Sequence, residues 1–125
     1  MLDGVDATEP PMPETKNELL PGTLELLILK SLSIGPLHGY AIARRIQQTS
    51  QDVLQIEEGS LYPALHRLEQ RGMIDAEWGP SEANRRAKFY RLTKDGKAEQ
   101  RAQEEAWDRV SSAVDRVLKA HAKGA

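Results

Sequence analysis

From Pro21 onward, apolar stripes at helical spacing alternate with short breaks. Pro21-Gly22-Thr23 marks a helix start, and Leu24, Leu27, Ile28 and Leu32 then recur at spacings of three and four. Leu26 and Leu29 widen that stripe, so this first helix is expected to be well buried, and Gly35-Pro36 ends it. A second helix is expected from His38 or Gly39 to Thr49, with Ile42 and Ile46 inward and Arg44, Arg45 and Gln48 outward. Gln55-Ile56 reads as a short strand leading into a third helix, with Ser60 at its N-cap and Pro63 still in its first turn, where a missing N–H costs no helical bond. Leu61, Leu65 and Leu68 share the inner face of that helix, while Tyr62, Pro63, His66, Arg67 and Gln70 fall mainly on the other, and Gly72 stops it.

The period then changes from helical to twofold. Ile74, Ala76 and Trp78 share one side of a strand, and Gly79 to Asn84 forms a hairpin tip. A second strand runs from Lys88 to Thr93, with Tyr90 and Leu92 on one face and Phe89 and Arg91 on the other. The expected fold is mainly α with a small β-hairpin: a winged helix-turn-helix over residues 19–93, followed by a long helix over 94–121 and a tail at 122–125. Thr93 is the expected N-cap of the long helix, where Gln103, Trp107, Val110, Val114, Val117 and His121 repeat at the spacing of a coiled-coil seam, flanked by Leu118. A small head cannot easily cover a stripe of roughly 40 Å, so a second copy is the expected partner and Trp107, Val110, Val114, Val117 and Leu118 its interface. The alternative is a helix folded back over its own domain.

Composition changes this picture in two places. Residues 1–18 hold five acids (Asp3, Asp6, Glu9, Glu14, Glu18) against Lys16, together with Pro10, Pro11 and Pro13, and are expected to be a disordered acidic tail. The net charge of −2 therefore conceals a cationic patch: Asn84–Lys94 carries Arg85, Arg86, Lys88, Arg91 and Lys94 with no acid. With no cysteine, disulfides and thiolate metal sites are excluded, which fits a reducing cytoplasm. The N-terminus has neither the basic nor the apolar region of a signal peptide, and no apolar run approaches the roughly 18 residues of a membrane span. A cytoplasmic protein without a membrane partner is expected.

An enzyme needs converging titratable groups. His38, His66 and His121 lie far apart and lack the spacing of a helical zinc motif, and there is no nucleotide-binding glycine loop. No catalytic residue, metal or cofactor is expected. A short helix with an apolar inner face and a polar, aromatic and cationic outer face suits a DNA groove, although most amphipathic helices only pack.

The residues match a known family at several points. Leu32-Ser-Ile-Gly-Pro-Leu-His-Gly-Tyr40, Glu58-Gly-Ser-Leu-Tyr-Pro-Ala-Leu-His-Arg-Leu-Glu69, Gly72, Tyr90-Arg-Leu-Thr93 and Gly96 closely resemble the PadR family of bacterial transcriptional regulators. The resemblance covers about residues 20–96, and the single long C-terminal helix is like that of the short members. It implies a dimeric winged-helix protein, usually a repressor on a pseudo-palindromic operator, often released by a small molecule. It also implies that Tyr40, Ser60, Tyr62 and Pro63 face double-stranded DNA, that His66 and Arg67 follow along the groove, and that Arg85, Arg86 and Lys88 form a wing directed at phosphates or the minor groove. Arg67 is the expected base reader, since a guanidinium pairs with guanine O6 and N7; a surface ion pair with Glu69 or Glu58 is its alternative. Trp107 is either plain interface packing or one wall of a flat pocket for a small aromatic effector. The competing class is a winged-helix protein-interaction adaptor that does not bind DNA.

Overall fold

The computed structural model describes residues 21–121, so the acidic tail, the first two residues of the expected winged domain (19–20) and residues 122–125 lie outside the described residues. Among the described residues the order is α1 (Pro21–Leu32), β1 (Leu37–His38), α2 (Gly39–Thr49), α3 (Glu58–Gln70), β2 (Ile74–Pro80), β3 (Arg86–Leu92) and α4 (Lys94–Lys119). The three strands form one antiparallel sheet in the order β1-β3-β2. This is a winged helix with a long helix appended.

The core sits where α1, α2 and α3 meet under the sheet. Ile28 and Leu29 of α1, Ile42 of α2 and Leu61, Leu65 and Leu68 of α3 are all fully enclosed, with Ile74 and Tyr90 closing the sheet side. Each fully buried aliphatic side chain contributes roughly 1.5–3 kcal/mol relative to exposure, so this cluster is what holds α3 at a fixed angle.

Several boundaries differ from the sequence expectation, each for a local reason. The strand expected at Gln55-Ile56 is absent, because β1 occupies the free edge of β3, pairing Leu37 with Tyr90 and His38 with Phe89. Leu54 and Ile56 instead pack against the core from an irregular segment. Helix α2 is capped by His38, whose Nδ1 accepts from the Ala41 amide at 3.1 Å. Helix α3 begins two residues before Ser60: Glu57 is its N-cap, in extended conformation and without a side-chain cap. Ser60 is therefore the third helical residue and Pro63 the sixth, so Pro63 stands inside the helix and cannot donate to the Gly59 carbonyl. The other end follows expectation. Gly72 takes φ +77°, its amide bonds to the Glu69 carbonyl and the Met73 amide to that of Leu68, a Schellman stop.

The hairpin strands run further than their alternation indicated, to Pro80 and from Arg86, leaving Ser81–Arg85 as the turn. Thr93 caps α4 by accepting from the Gly96 amide at 3.0 Å. Gly96 and Gln100 are buried, and Lys30 of α1 pairs with Glu104 at 3.1 Å. The first turns of α4 thus fold back on α1 while the rest projects. The helix ends at Lys119, so His121 lies beyond it and drops out of the seam. No helix among the described residues is long and apolar enough to cross a membrane.

Candidate nucleic-acid interface

Two motifs far apart in sequence form one joint. A methyl group built on Gly39 would meet the Tyr62 ring and hydroxyl at 2.8–3.0 Å, so the tyrosine of α3 lies directly on the start of α2 because Gly39 has no side chain. Tyr40, next along, is 62% exposed: its ring does not pack between helices but stacks on His38 at 6.5 Å. Arg44 donates to the Tyr40 hydroxyl at 3.4 Å, which raises the arginine pKa further above its ordinary value.

Opposite this joint stands the inner face of the wing. Tyr40, Tyr62, Trp78, Arg85, Arg86 and Lys88 line one open cleft of about 690 Å³ between the α2–α3 junction and the hairpin, with Tyr90 at its base. Burial raises the Tyr90 phenol above its ordinary range, and the neighbouring Lys88 opposes that shift. Lys88 is drawn inward: its Nζ lies 3.4 Å from Glu69 of α3 and 5.5 Å from the Tyr90 ring centroid. Arg85 and Arg86 have no acid partner among the described residues, and the Arg86 guanidinium lies 5.6 Å from the Trp78 ring centroid. Arg91, on the far face of the sheet, is taken up by Asp75 at 2.7 Å. Of the five cations of the patch, Arg85, Arg86 and Lys94 have no acid partner among the described residues, and of these only the two arginines at the wing turn line the cleft.

Ser60, Pro63 and His66 are exposed along α3 but do not line the cleft. Arg67 has a partner, and it is neither of the acids expected. Its Nε donates to Glu25 of α1 at 3.0 Å; the other Glu25 oxygen accepts from Arg71 at 3.1 Å, and Arg71 reaches on to Glu99 of α4 at 3.7 Å. Trp107, Val110, Val114, Val117 and Leu118 are all largely exposed along α4. Among the described residues, no group of three or more acids and histidines could hold a metal ion.

The model of the transcriptional regulator PadR-like family matches residues 28–102, more than half of the chain. The chain belongs to this family. A transcriptional regulator from Clostridium thermocellum superposes with a TM-score of 0.71 at 30% identity, over 78% of this chain and 95% of that one. A PadR-like transcriptional regulator from Bacillus cereus gives 0.70 at 26% identity, over 80% and 95%. An uncharacterised protein of Lysinibacillus sphaericus is 29% identical over 100 residues, 80% of this chain and 92% of that one.

The PadR-like match takes in α2, α3, the wing and the first turns of α4, and it stops before Trp107. Sequence reasoning missed Glu25, Arg71 and Gly39 as parts of this site. For Glu25 a signal was present: it stands at i−3, i−4 and i−7 to Ile28, Leu29 and Leu32, an acid on the apolar stripe of α1, and an acid in that position needs a cation. Gly39 had none short of knowing where Tyr62 would lie.

Proposed function

We propose that the chain is a sequence-specific DNA-binding repressor, acting as a homodimer on a pseudo-palindromic operator. One observation carries the reading: the start of α2, Tyr62 of α3 and the inner face of the wing open onto a single cleft where tyrosines and cations outnumber the one acid, Glu82, with Arg85 and Arg86 unneutralised among the described residues and the rest of the exposed face of α3 beside it. Helix α3 enters the major groove, where Ser60, Tyr62, Pro63 and His66 meet bases and backbone, and Tyr40 meets a phosphate beside them. Arg85 and Arg86 take the adjoining backbone or minor groove, and Lys88, tied to Glu69, holds the wing against α3. Arg67 acts as a clamp on Glu25 and is a base reader only if DNA displaces that acid. The adaptor alternative leaves the two unneutralised wing arginines without a purpose.

The exposed stripe of α4 supports pairing of two copies, which would set the two recognition helices about one helical turn (roughly 34–36 Å) apart. Trp107, half exposed on that stripe, is the wall on which a flat aromatic effector would stack, and release follows if the bound dimer favours another spacing. A panel of planar aromatic compounds that leaves Trp107 fluorescence unchanged would remove this last element.

The deciding experiment is fluorescence anisotropy with DNA from upstream of the chain's own gene, over a salt series with random DNA as competitor. Specific binding that weakens steeply with salt is expected. Replacing Arg85 and Arg86 by alanine should weaken binding and flatten the slope of log K on log salt by about 2, since each phosphate no longer neutralised keeps its counterion. An unchanged slope would favour the adaptor.

A further inference from the structure

The wing hairpin carries an apolar inner face beyond the point where the domain can cover it. Along that face the cross-strand pairs run Ile74–Leu92, Ala76–Tyr90, Trp78–Lys88 and Pro80–Arg86. Ile74 and Tyr90 are buried and Ala76 half-buried, but Trp78 is 56% exposed. The indole is thus left at the open end of that face beside Lys88 and Arg86. The surroundings identify the kind of occupant. Lys88 is turned back to Glu69, Arg86 lies over the indole, and the rest of the ring opens into the cleft shared with Tyr40 and Tyr62. The charge there is cationic and the surface is continuous with the face assigned to DNA.

We propose that Trp78 is a positioning residue of the wing: its ring orders the Arg86 guanidinium for entry into the minor groove, so that the operator prefers A·T pairs flanking each major-groove half-site. The inference rests on the DNA-binding reading. A guanidinium lying on an aromatic face keeps its N–H edges free, so the stack restricts Arg86 without using up its donors. Ordering a long side chain before binding removes part of the entropy that binding would otherwise cost. A·T tracts have a narrow minor groove with enhanced negative potential, and an arginine already aimed at that groove reads its width rather than its bases.

The test is selection of bound duplexes from a random-sequence pool by the full chain and by Trp78→Leu, Trp78→Phe and Arg86→Lys, each checked for fold by circular dichroism and thermal midpoint. The readout is the A·T over G·C preference at the flanks relative to selection at the centre of the half-sites, a ratio that loss of stability alone does not change. Wild type is expected to enrich A·T at the flanks. Trp78→Leu, similar in hydrophobic character but without a π face, should lower that preference roughly two- to fivefold, more than it lowers central selection. Trp78→Phe should retain most of it, and Arg86→Lys, which keeps the charge but not the planar stack, should lose it. A folded Trp78→Leu or Arg86→Lys chain that still enriches A·T flanks as wild type does overturns the inference, as does a variant that loses centre and flank in equal proportion. If wild type retrieves no sequence at all, the DNA reading falls and this inference with it; wild-type selection without flank enrichment overturns this inference alone.

Discussion

Glu25 places one carboxylate between Arg67 of α3 and Arg71 just past its end, and only 9% of the residue is exposed. Truncating it would leave Arg67 without its acid, Arg71 with Glu99 alone at 3.7 Å, and a polar gap in the wall of α1. Hydrogen bonds between charged groups are worth roughly 1.5–3 kcal/mol each, but both arginines are nearly half exposed and water would take over part of the role. Glu25→Ala is therefore expected to lower unfolding stability by about 1–2 kcal/mol in a urea titration, with the m-value unchanged. A variant as stable as wild type would mean that the ion pairs add nothing. The same residue shows what a single sequence discloses at this scale. Spacing alone puts Leu61, Leu65 and Leu68 on the inner face, since burial follows helical period. It does not reveal the partner of Arg67, because the acid that claims it is 42 positions away and nothing local links the two.

At the scale of elements, the junction of α2 with α3 is a fit between a missing side chain and an aromatic ring. Gly39→Ala would push the Tyr62 ring outward, and since the atoms it meets are the outer end of a partly exposed side chain, the fold should absorb the change. Alanine is also the better helix former by up to about 1 kcal/mol, so the thermal midpoint is expected to hold within a few degrees. DNA affinity is not: a displaced Tyr62 no longer faces the cleft, and a loss of about tenfold is expected by anisotropy, the equivalent of one hydrogen bond to a charged phosphate. Undiminished affinity would remove Tyr62 from the interface. Helix existence and order were legible from the stripes of α1, α2 and α3. Their ends were less so: the start of α3 at Glu58 rests on the extended backbone of Glu57, not on a capping side chain, and β1 is two residues long, too short for any period to register.

For the whole molecule, the exposed stripe of α4 is the feature that a lone chain leaves unused. Val110 and Val114 lie about one turn apart on it. Replacing both with glutamate should keep the head folded, since neither touches its core, while shifting sedimentation from dimer to monomer and lowering operator affinity at least tenfold through loss of the second half-site. A double variant that still sediments as a dimer would move the interface elsewhere. The seam was visible in sequence as a repeat, but its division was not: up to Glu104 the helix lies on its own α1, and only beyond that does it stand free. The base of that helix has a mechanical consequence. A side chain at Gly96 would run into the Met73 carbonyl, and the Thr93 hydroxyl donates to the Gly72 carbonyl at 2.6 Å, so helix and wing root are joined without slack. The part of the rod that stands free beyond Glu104, roughly 22 Å long, behaves as a lever whose far end travels roughly 2 Å for each 5° of tilt. Whatever grips its tip pulls on a base seated against both the wing root and α1.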